Sequence, residues 1–81
     1  MGQGGEEREE SMKQEFPQRL QKLRERRRMS RKALGELCGL SKNVIARYER
    51  GEREPSVGTL IELADYFEVP VDYLLGRQNF L

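Results

Sequence analysis

Two serines eleven residues apart, Ser30 and Ser41, each open a stretch that a glycine closes, Gly39 and Gly51. Serine supplies a side-chain acceptor for the unpaired N–H groups of a helix start, and glycine takes the left-handed conformation that ends one. This punctuation predicts a helix of about two turns over "RKALGELC", a tight Gly39-Leu40 turn, and a third helix from Ser41 to about Arg50. The order is helix, tight turn, helix.

The flanking sequence supplies partners for those short elements. In "FPQRLQKLRERRR", Pro17 suits a first helical turn and Phe16, Leu20 and Leu23 fall at i, i+4 and i+7, predicting helix one over about 17–28. In helix two, Ala33, Leu34 and Leu37, with Cys38 at the margin, are expected to face inward. Ser56 can cap a fourth helix in which Leu60, Ile61, Leu63, Ala64 and Phe67 form a broad apolar stripe. Pro70 starts a last short turn, "PVDYLL", with Val71, Leu74 and Leu75 available to close the core. No strand pattern or internal repeat interrupts this series, so the fold class is all-α with five helices.

The domain is placed at residues 16–76, with 77–81 as a C-terminal tail. "MGQGGEEREESMKQE", residues 1–15, has charge and glycine without apolar periodicity and is expected to be disordered. Its first eleven residues are rich in Gly, Glu and Arg, all encodable by purine-only codons, which suggests Met12 as a native start. Phe80 and Leu81 suit a dimer contact or a frayed end.

Composition removes several function classes. With 81 residues there is room for one domain. Cys38 is the only cysteine and histidine is absent, so a disulfide framework and a Cys/His zinc site are both unavailable. Cys38 falls at an expected core position, and no Gly-rich phosphate loop accompanies it. An enzyme is therefore not expected, nor a cofactor. No apolar run approaches the roughly 20 residues of a membrane span, and the N-terminus lacks a signal-peptide core, so a cytoplasmic protein is expected.

A net charge of +1 conceals a lopsided distribution. Residues 1–18 hold two cations against five acids, −3; residues 19–53 hold twelve against four, +8; residues 54–81 hold one against five, −4. A block at +8 is the footprint expected for a polyanionic partner. On a helical wheel of residues 41–51, Ile45, Tyr48 and Glu49 share one side. Asn43, Arg47 and Arg50 form another row, with Lys42 and Ala46 beside it. Lys and Arg suit guanine O6 and N7, Asn suits adenine N6 and N7, and Val44 can meet a thymine methyl. Such a second helix after a tight turn is the element that enters the DNA major groove in a helix-turn-helix.

From "LRERRRMSRKALGELCGLSKNVIARYERGEREPS" the chain resembles the lambdoid phage repressor and Cro family, the XRE-type regulators, over residues 16–76. The resemblance implies a compact five-helix, lambda-repressor-like DNA-binding domain with the helix-turn-helix at helices two and three. It further implies sequence-specific transcriptional regulation, repressor-like and of prophage type, by a homodimer on a palindromic double-stranded operator. It assigns Lys42, Asn43, Val44 and Arg47 to base contacts. Ser30, Arg31, Ser41, Arg50 and Arg53 fall at backbone contacts, and Arg24 with Glu49 at a bridging ion pair. The chain departs from the family in having Arg31 where Gln is usual and Gly35 where Ala is usual, the latter costing about 0.8–1 kcal/mol in helix propensity. The alternative function is an antitoxin-like module on the same fold, binding a toxin or anti-repressor protein.

Overall fold

The computed structural model describes residues 3–79, with side chains from residue 15 onward. Five helices follow one another: α1 (Gln3–Arg26), α2 (Arg31–Cys38), α3 (Lys42–Glu49), α4 (Val57–Phe67) and α5 (Val71–Leu74). No strand occurs among the described residues. The three expected serine caps are in place. The hydroxyls of Ser30, Ser41 and Ser56 accept from the backbone N–H groups of Ala33 (3.0 Å), Val44 (3.2 Å) and Thr59 (3.2 Å).

The helix ends share one device. At the end of α1, Met29 N–H donates to the Arg24 carbonyl and Arg28 N–H to that of Glu25, with Arg28 in the left-handed region at φ 54°. This is a Schellman closure, and it recurs at the end of α3 with Gly51 and at the end of α4 with Glu68 at φ 58°. The α2 terminator uses Gly39, with Leu40 N–H donating to the Gly35 carbonyl at 2.7 Å. Glycine marks two of these stops in the sequence; Arg28 and Glu68 adopt the same conformation without announcing it.

Every helix contributes to one core. Phe16, Leu20 and Leu23 from α1 meet Leu34 of α2, Ile45 and Tyr48 of α3, Leu60, Leu63, Ala64 and Phe67 of α4, and Leu74 of α5. Burying each large apolar side chain contributes roughly 1.5–3 kcal/mol. Phe16 and Tyr48 meet edge to face with ring centroids 5.9 Å apart, which fixes α3 against α1.

Several expectations need correction. Helix one, expected over 17–28, spans Gln3–Arg26 and takes in most of the stretch assigned to a disordered tail. Glu, Gln, Lys, Arg and Met are good helix formers, acidic residues suit a helix start, and a packed segment extends without a new nucleation cost. Pro17 consequently lies inside α1, where it withholds one backbone N–H. Leu37 and Ile61, expected inward, are 57% and 47% exposed. Their helices are narrow against the core, and Leu34 on α2 and Leu60, Leu63, Ala64 and Phe67 on α4 already fill it.

The tail assigned to 77–81 is tied down as far as residue 79. Arg77 N–H donates to the Asp72 carbonyl at 2.9 Å. The buried guanidinium of Arg19 donates to the carbonyls of Tyr73 (2.6 Å) and Gln78 and to Asn79 Oδ1 (2.9 Å). It also lies 4.4 Å from the centroid of the Tyr73 ring and 3.3 Å from the Glu15 carboxylate. The expectations for Met12, Phe80 and Leu81 fall outside the described side chains.

Gly35 changes meaning in the fold. It is buried, and a Cβ built on it would press on the Leu40 carbonyl oxygen more closely than real Cβ atoms approach. The residue lets the turn between α2 and α3 fold back against α2, so its poor helix propensity is offset by that close approach.

Candidate nucleic-acid interface

The outward face of the helix-turn-helix is built on a buried ion pair. Arg24 Nε donates to Glu49 Oε2 at 2.6 Å and Nη2 to Oε1 at 3.1 Å, while Nη1 donates to the Met29 carbonyl at 2.8 Å. Arg31 Nε adds a bond to Glu49 Oε1 at 2.9 Å. One carboxylate, its side chain 2% exposed, thus joins the end of α1, the start of α2 and the end of α3. The Glu49 hydrogen bonds raise the Arg24 guanidinium above its ordinary pKa, against the opposing effect of burial. Arg31 combines bracing with exposure: its side chain is 46% exposed, and its Nη groups make no hydrogen bond among the described residues. Arg31 thus ties the start of α2 to the end of α3 through Glu49 while leaving part of its guanidinium exposed.

Held this way, α3 sorts its residues by side. Ile45, Tyr48 and Glu49 are buried, whereas Lys42, Asn43 and Arg47 are exposed and their side chains make no hydrogen bond among the described residues. Eight helical residues span about 12 Å, comparable to the width of a B-DNA major groove. Val44 is half-buried against the core, so less of it is offered outward than expected. Ser30 and Ser41 are exposed and spend one lone pair on their caps. Arg53 is exposed. Arg50 is exposed but engaged: Nε donates to Glu52 Oε2 at 3.0 Å and Nη2 to Oε1 at 3.1 Å.

A groove of about 430 Å³ runs between the starts of α2 and α3, lined by Arg24, Ser30, Arg31, Lys32, Lys42, Asn43 and Ala46. Its lining holds four cations and no carboxylate. Small Ala46 keeps the groove open beside Asn43. The +8 block, however, is not all interface. Arg19 and Arg24 are buried in structural contacts, and Arg27 lies over the Tyr66 and Phe67 rings at 4.9 and 5.2 Å. These roles depend on partners distant in sequence, which helical spacing does not reveal.

The sequence model of the helix-turn-helix family matches residues 20–74, which covers α2, α3 and α4 entirely. The chain belongs to the XRE-type helix-turn-helix family. It is 42% identical over 61 residues to the HTH-type transcriptional regulator AnsR of Bacillus subtilis, covering 75% of this chain and 53% of AnsR. It is 32% identical over 60 residues to YonR, an SPbeta prophage-derived HTH-type transcriptional regulator of the same organism, covering 74% and 56%. The HTH-type transcriptional activator BcrR of Enterococcus faecalis is 28% identical over 67 residues, covering 83% and 33%. The chain thus spans about half the length of the two Bacillus relatives. No solved structure matches it significantly. Among the described residues no helix is long and apolar enough to cross a membrane.

Cys38 stands apart from this face, half-buried at the end of α2. Burial, with the nearby Glu62 charge, pushes its thiol above the ordinary cysteine pKa. A raised pKa leaves less thiolate, the reactive form, at neutral pH. Alkylation of the folded protein at pH 7.5 is expected to run several-fold slower than in urea; equal rates would show that the thiol is neither shielded nor shifted.

Proposed function

We propose that the chain binds double-stranded DNA sequence-specifically and regulates transcription as a repressor-like protein, with α3 in the major groove. The observation that carries this reading is the outward row of α3. Lys42, Asn43 and Arg47 are exposed, free of hydrogen bonds among the described residues, and presented by a helix whose other side is locked into the core. In this pose Lys42 and Arg47 donate to guanine, Asn43 pairs with adenine, and the exposed edge of Val44 is left for a thymine methyl. Ser30, Arg31, Ser41 and Arg53 fall along the phosphates on either side. Family membership supports the same reading, as do the regulator names of the relatives. The activity is binding, with no catalysed step.

A single α3 reads only a few base pairs. Two copies on one duplex would place their recognition helices about 34–36 Å apart, one helical turn, and would call for a palindromic operator. We therefore propose a homodimer on DNA.

Substitutions separate the two kinds of contact. Arg47→Ala is expected to cost about 1–3 kcal/mol of binding and to relax preference at one base position. Arg53→Ala is expected to weaken all sequences alike and to lower the salt slope by about one. Gel shifts over a salt series, on duplexes varied one base at a time, measure both. Uniform weakening by Arg47→Ala would remove it from the base-reading set.

A further inference from the structure

Glu52 is out of place on a face otherwise suited to an anion. Residues 19–53 contain four carboxylates. Glu49 is buried in its ion pair, Glu25 accepts from Gln21 at 3.2 Å, and Glu36 is exposed on α2. Glu52 instead meets the Arg50 guanidinium through two parallel bonds, 3.0 and 3.1 Å, with both side chains more than half exposed.

Its backbone is fixed by the closure of α3. Glu52 N–H donates to the Arg47 carbonyl at 2.9 Å and Gly51 N–H to that of Tyr48 at 3.1 Å. A helix C-terminus carries the negative end of the dipole and disfavours a carboxylate, so Glu52 is not there to stabilise α3. Its bonds to Arg50 hold the carboxyl below its ordinary pKa, and the Arg47 charge adds to this. The carboxylate is therefore held by the Arg50 guanidinium and feels the charge of Arg47.

A carboxylate and a phosphate offer a guanidinium the same thing, two anionic oxygens spaced for its planar fork. We infer that Glu52 is a built-in competitor for DNA phosphate at Arg50, occupying the fork that a backbone contact would use. This rests on the DNA-binding reading above. A contact between Arg50 and a phosphate then displaces a carboxylate, and the net gain is small. Glu52 sets the strength and salt dependence of binding without changing which bases Lys42, Asn43 and Arg47 read.

The test is a double-mutant cycle on DNA affinity with the full chain, using Glu52→Gln, Arg50→Ala and the pair, on a preferred and a random duplex from about 50 to 200 mM salt. Glu52→Gln is expected to tighten both complexes about three- to tenfold at the low-salt end and to steepen the salt slope by about one. Arg50→Ala is expected to weaken wild type less than about twofold but the Glu52→Gln protein by the full three- to tenfold. Equal Arg50→Ala effects in the two backgrounds would overturn the inference, as would a Glu52→Gln protein that binds like wild type. A Glu52→Gln change in preference at one base position would also overturn it, making Glu52 a base reader. In those cases wild type still binds DNA; a wild type that binds no duplex removes the DNA-binding reading and this inference together.

Discussion

Glu49→Ala is expected to lower the unfolding free energy by about 3–5 kcal/mol, because it strands the buried Arg24 guanidinium. Arg24 would keep one partner, the Met29 carbonyl, in a site where its side chain is 10% exposed. Small domains have only about 5–15 kcal/mol of stability in total, so the variant should lie close to unfolding at room temperature. The size of the effect comes from the lost partner rather than from the net strength of the pair, which desolvation largely offsets. Arg31→Ala makes the contrast: its bond to Glu49 is half-exposed, Arg24 stays paired, and the expected loss is below about 1 kcal/mol. Urea unfolding of the three proteins gives the comparison. A Glu49→Ala loss under about 1 kcal/mol would mean that water reaches Arg24 and that the pair does not fix α3.

Gly35→Val is expected to cost about 3 kcal/mol, the upper end of ordinary overpacking, since the added Cβ meets backbone rather than a movable side chain. The contact is with the Leu40 carbonyl, whose own N–H is bonded back to the Gly35 carbonyl, so relief requires opening the turn between α2 and α3. The orientation of α3 depends on that turn, and on the proposed function DNA affinity should fall even at temperatures where the variant remains folded. Thermal unfolding and gel shift together measure the two effects. A Gly35→Val protein as stable as wild type would show that the turn can move at little cost.

What the sequence made legible was local. Ser30, Ser41 and Ser56 announce helix starts because a cap acts within three residues of itself, and Gly39 and Gly51 announce ends for the same reason. The division of α3 into an anchoring and an outward side followed from helical spacing alone, and Arg24 with Glu49 followed from the family resemblance. Contacts between distant residues were hidden. Arg19 reads as one more cation of a basic block, yet its hydrogen-bond acceptors lie 54 to 60 residues away. Arg28 and Glu68 end their helices in a conformation that their side chains do not advertise. Gly35 reads as a weakness until the carbonyl of Leu40 is seen against it. Arg50 reads as an unpaired cation until Glu52 is seen in its fork.

On the proposed function α3, fixed by Glu49 and presenting Lys42, Asn43 and Arg47, reads DNA sequence. Selection of bound duplexes from a random pool by the full chain at physiological salt tests it most directly. The expected result is an enriched motif made of two related half-sites with centres about 10–10.5 bp apart. A selected pool without any enriched motif, with all duplexes bound equally well, would contradict it.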